Sequence, residues 1–139
     1  MRKTRLIPVA GLTLAVALVL SACSTGRSAD EEYARKYRSS VEGLDHVVRL
    51  ESTYKTHVGM GSTADLFLYA DSSDRDVLEG VLEDALPAVV DAAEGDPDVN
   101  LGLQVISEDG QIAVSPSDLG YEGTGNLSSY RQFLRKDSE

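Results

Sequence analysis

The chain has 139 residues, with 13 Lys and Arg set against 23 Asp and Glu for a formal charge of −10 at pH 7. That length holds one small domain, and the negative balance excludes polyanions such as nucleic acid, or an anionic lipid surface, as charge-matched partners. One cysteine, no tryptophan and two phenylalanines exclude an internal disulfide framework and call for an aliphatic core.

The chain opens with Arg2, Lys3 and Arg5, followed by an uncharged run rich in Leu, Val and Ala over residues 6–20. The run is shorter than the roughly 20 apolar residues that cross a hydrocarbon core. A basic start, an apolar run and a small-residue ending read as a secretory signal peptide over residues 1–22. The polar, mixed-charge chain that follows offers no second hydrophobic segment. The signal ends in Leu20-Ser21-Ala22-Cys23, which resembles the bacterial lipobox: a Leu three positions before an invariant Cys, with small residues between. The resemblance implies that the Cys23 thiol takes a diacylglycerol, that the chain is cut before it, and that the new amine is often acylated with a palmitate-type chain. Each buried methylene contributes about 0.8 kcal/mol, and two acyl chains anchor stably where one does not. The expected location is the cell membrane, lipid-anchored on its extracytoplasmic side. All 23 acids lie beyond residue 22 with ten of the 13 bases, so that part carries a formal charge of −13.

Residues 23–43 read as the lipidated Cys and a tether. Residues 24–28 have the composition of a flexible spacer, and Ser28-Ala29-Asp30-Glu31 is a capping-box pattern. Acids then precede bases over residues 32–38, with Tyr33 and Tyr37 one turn apart, which predicts a short helix on the tether. From residue 44 to 136 the pattern is that of a single α+β domain. Residues 44–55 alternate as a strand, with Val48, Leu50, Ser52 and Tyr54 on one face and Val47, Arg49, Glu51 and Thr53 on the other, one face toward the core and one wet. The glycines around Met60 make residues 56–62 a hairpin loop. Residues 63–70 form a second strand with Ala64, Leu66, Leu68 and Ala70 inward. Its outward Phe67 and Tyr69 predict a cover, from the tether or the C-terminal segment.

Ser73 with Asp76 is a second capping box, and Asp71, Asp74 and Asp76 suit a helix start. Val77, Leu78, Val81, Leu82, Ala85, Leu86, Val89, Val90 and Ala93 then form an apolar stripe over about five turns. Pro87 interrupts the hydrogen bonding and predicts a kink, because the stripe continues in phase beyond it. Gly95 and Pro97 end the helix. Val99, Leu101, Leu103 and Val105 alternate along a third strand, Asp109-Gly110 signals a two-residue hairpin, and Ile112 and Val114 begin a fourth strand ended by Pro116. Asn126 caps a last helix with Leu127, Tyr130 and Leu134 on one face. The expected fold is β-β-α-β-β-α, an antiparallel-rich sheet with one long amphipathic helix packed on one face.

No stretch beyond Cys23 carries a specific catalytic signature. His46 and His57 lack a nearby nucleophile arranged for a triad. Asp96, Asp98 and Asn100 resemble positions 1, 3 and 5 of a calcium loop, but Leu101 stands where its glycine belongs and Ser107 where its bidentate Glu belongs. They are weak metal candidates, and a turn rich in Asp, Pro and Gly explains them better. The run Gly59-Met60-Gly61-Ser62-Thr63 could offer amides to an anion, but it lacks a P-loop lysine and its helix. No cofactor is implied. The whole pattern resembles small lipoproteins of unassigned function from high-GC Gram-positive bacteria, strongly in the lipobox and in outline elsewhere. The expected function is a membrane-anchored lipoprotein with a small acidic, non-enzymatic binding or modulating domain and a cell-envelope protein as partner. The alternatives are a cell-envelope enzyme or enzyme-accessory domain and, more weakly, a cation-binding domain.

Overall fold

A computed structural model describes residues 28–139. Their elements run α1 (Ala29–Val41), β1 (Val47–His57), β2 (Gly61–Ala70), α2 (Arg75–Ala92), β3 (Val99–Ile106), β4 (Ala113–Val114), a 3-10 turn (Pro116–Leu119) and α3 (Leu127–Lys136). The four strands make one sheet in sequence order. β1 and β2 are an antiparallel hairpin, β2 and β3 are parallel, and β3 and β4 are antiparallel. The α+β class holds, but the sheet is mixed, because α2 carries the chain back across the sheet between β2 and β3.

Strand alternation divides the sheet into two unlike faces. Ala64, Leu66, Leu68 and Ala70 of β2 and Val99, Leu101, Leu103 and Val105 of β3 are all buried. Because Ala64 stands beside Leu101 and Leu66 beside Leu103, the two strands bury the same face. The stripe of α2 meets it with Leu78, Val81, Leu82, Ala85, Leu86, Val89 and Val90. Burying each Leu or Val of this size contributes about 1.5–3 kcal/mol relative to exposure. Pro87 lies within the continuous helix and does not divide it.

Several expectations are corrected. The helix on the supposed tether belongs to the domain, so the packed unit begins near Ala29 rather than at residue 44. Tyr37 and Val41 of α1 are buried, Tyr33 stacks on Tyr54 of β1 at 4.7 Å between centroids, and Lys36 Nζ bonds Asp96 Oδ1 at 2.8 Å. The face is therefore covered by α1 together with α2, not by one long helix. The cap of α2 is Asp74, whose carboxylate accepts from the Asp76 N–H, one residue past Ser73. The two-residue hairpin at Asp109-Gly110 is instead a connection over residues 107–112. Buried Ser107 organises it, its hydroxyl donating to Asp109 at 2.7 Å and accepting from the Ile112 N–H at 3.0 Å. Among the described residues, neither α1 nor the C-terminal segment supplies the cover expected over Phe67 and Tyr69.

Candidate functional site

Among the described residues, the face of the sheet turned away from the helices is a candidate binding surface. Its rows follow from register: Arg49, Tyr69 and Ile106 stand side by side, as do Glu51, Phe67 and Gln104, and then Thr53, Asp65 and Gly102. Phe67, Tyr69, Gln104 and Ile106 are half-buried by one another, while Arg49, Glu51, Thr53 and Asp65 are exposed. The Arg49 guanidinium lies 3.5 Å from the centroid of the Tyr69 ring, within cation–π range. Arg49 also pairs with Glu51, and the Tyr69 hydroxyl donates to Glu51 at 3.2 Å. Arg49 and Tyr69 are thus held together beside Phe67 on this face. Gly102 adds no side chain to it, and a Cβ there would crowd the Asp65 carboxylate. Such a surface suits recognition by burial of aromatic and guanidinium groups.

The residues singled out from the sequence lie elsewhere and do not converge. Leu20, Ser21, Ala22 and Cys23 are outside the described residues. His46 and His57 sit at opposite ends of β1. His46 adopts a φ of 68° and its Nδ1 lies 2.8 Å from Asp71, while its carbonyl accepts from the Asp71 N–H. The pair ties the start of β1 to the end of β2. His57 Nε2 lies 3.2 Å from the Thr63 hydroxyl across the hairpin. Asp96 accepts from Lys36 and the Tyr37 hydroxyl. Asp98 accepts from the Ser128 N–H and hydroxyl, each at 3.0 Å, at the start of α3. Asn100 bridges to Asn126. The calcium-loop residues therefore point to three separate partners, and among the described residues no group of three His, Cys, Asp or Glu could hold a metal ion. Gly59 and Gly61, both at positive φ, shape the hairpin turn.

Two hollows were not foreseen. One of about 310 Å³ is lined by Glu79, Glu83, Asp118 and Asp137 over a floor including Leu86 and Phe133. Arg75 closes part of it, pairing with Glu79 at 2.9 Å and Asp118 at 2.6 Å. The Ser115 N–H beside Asp118, and after it Arg75, hold this carboxyl below the usual aspartate range. The other, about 280 Å³, lies between β3 and the loop before α3, against Tyr121 and Tyr130. Here Tyr130 donates to the Leu101 carbonyl, and burial, then Tyr121, pushes its phenol up to about 12. Carboxylates far apart in sequence converge in the first hollow through the packing of the 3-10 turn and α3 on α2, which no local spacing signals.

Among the described residues no helix is long and apolar enough to cross a membrane. No protein-family model matches the chain, and no curated protein matches it at a significant level.

Proposed function

We propose that this chain is a lipoprotein held by Cys23 on the outer side of the cell membrane, and that its small acidic domain binds and modulates another envelope protein without catalysing a reaction. The observation that supports a binding role is the uncovered sheet face with its ordered Arg49, Tyr69 and Phe67. Residues of these types dominate binding energy when desolvated at an interface.

The anchor and the face are tested together. Cys23→Ala is expected to move the protein from the detergent phase to the aqueous phase; a variant that partitions as before overturns the anchor. Crosslinking from intact membranes, with Cys23 retained, is expected to capture one partner. Arg49→Ser combined with Phe67→Ser should lower that capture about tenfold or more while leaving the circular dichroism unchanged. Undiminished capture would remove the face from the reading.

An enzyme or accessory domain acting on cell-wall material has one observation in its favour, the four carboxylates around the larger hollow. Acid–base chemistry there needs two carboxyl groups whose pKa values are pushed apart. Asp118 is drawn downward by hydrogen bonding and by Arg75, which fits it to bind the arginine rather than to donate a proton.

A further inference from the structure

The β1–β2 hairpin ends in two strongly exposed apolar side chains, Val58 at 100 % and Met60 at 88 %. Gly59 and Gly61, at φ of 77° and 81°, make the tight turn that projects them. Residues 52–64 carry no acid in a chain with 23, and Lys55 and His57 are the basic groups of this stretch. The outer half of the hairpin is thus a local exception to an acidic surface.

The described residues also begin beside this tip. Near the start of α1, Asp30 accepts from the Thr56 N–H at 3.1 Å and from its hydroxyl at 2.7 Å. Asp30 is seven residues from Cys23, a reach of at most about 25 Å at full extension. Asp30, Asp96 and Asp98, at the same end of the sheet, are bound to Thr56, Lys36 and Ser128. Glu31, Glu32 and Glu94 remain exposed there, so attraction to anionic headgroups does not draw this end inward.

We propose that the hairpin tip, Val58-Gly59-Met60, seats in the bilayer surface beside the Cys23 anchor as a second, apolar contact with lipid. The inference rests on the lipoprotein reading. Two side chains would hold a free protein weakly, but a short tether makes the second contact intramolecular, at an effective concentration on the order of millimolar. Unbranched Met60 adapts readily to an irregular apolar boundary. The two contacts stand the strands upright on the membrane and leave the open sheet face accessible from the side.

The test uses the lipidated protein in phosphatidylcholine vesicles, with Met60→Cys carrying an environment-sensitive fluorophore and Gln111→Cys, at the other end of the sheet, as reference. The label at position 60 is expected to shift to the blue and to be quenched by nitroxide lipid about threefold or more over the reference, equally at high salt. Adding Val58→Asp should return it to the reference level. Equal, low quenching at both positions in protein that floats with the vesicles overturns the tip contact and leaves the anchor standing. Protein that fails to float overturns the anchor and the tip contact with it. A blue shift without vesicles, growing with protein concentration, would assign the tip to a second copy of the chain and overturn the proposal.

Discussion

Gly123 stands where a side chain has no room: a Cβ would lie 2.1 Å from the Ser129 hydroxyl and 2.3 Å from that of Tyr121. Those hydroxyls bond each other at 2.8 Å, and the Tyr121 oxygen also accepts from the Gly125 N–H, so neither can move without breaking the loop before α3. Gly123→Ala is expected to cost about 1–3 kcal/mol, read as a lower denaturant midpoint at unchanged m. Gly80 is the opposite case, inside α2 with nothing within 4 Å of its would-be Cβ. Gly80→Ala should add about 0.5–1 kcal/mol by relieving the flexibility of the unfolded chain. At this scale the sequence is legible where a side chain acts locally. Asn126 was read as a cap, and its side chain does accept from the Ser129 N–H. Asp98 was read as a turn or a ligand, because its true partner, Ser128, lies 30 residues away.

Among the elements, α2 was legible in full, whereas α1 was legible as a short helix but not as part of the core. The stripe of α2 repeats over its whole length, whereas α1 offers few apolar residues between charged ones. Its burial comes from the stacking of Tyr33 and Tyr37 around Tyr54, an aromatic contact that spacing along one element cannot reveal. The helix is also pinned by Asp30, whose carboxyl the Thr56 hydroxyl, and then the Thr56 N–H, hold below its ordinary value of 3.8. Its folded value lies under its unfolded one, so this bond contributes fully above pH 3.8 and is lost as the pH falls through the folded value. Acid should therefore loosen the start of α1, seen as amide protection there, relative to intrinsic exchange at the same pH, that falls as the pH drops below 3.8. Asp30→Asn should remove that pH dependence. Protection lost in parallel from α1 and from β2 in the wild type would show instead that the whole domain opens at once.

For the molecule as a whole, composition foretold an acidic surface and periodicity foretold most strands, but the expected aliphatic core also holds Tyr37, Tyr54, Tyr121 and Tyr130. The pairing of β2 with β3 was beyond reach, because strand order depends on contacts across the whole chain. The charge of −13 beyond residue 22 opposes compaction through self-repulsion, which salt screens. The Tm is expected to rise with sodium chloride, and equally with calcium chloride at matched ionic strength. A larger rise with calcium would revive the cation-binding alternative. The strand order has one more consequence, for what the sheet can join. β1 is an outermost strand of 11 residues, long enough to template another chain. Its flank is occupied by α1, where Ser52 donates to the Ala34 carbonyl and the Thr56 N–H is already taken by Asp30. Alternating Arg49, Glu51 and Lys55 add charge along it, while at the other rim β4 is two residues long and Pro116 follows. Each margin thus carries features that disfavour a further strand, a guard against edge-to-edge growth into a fibre.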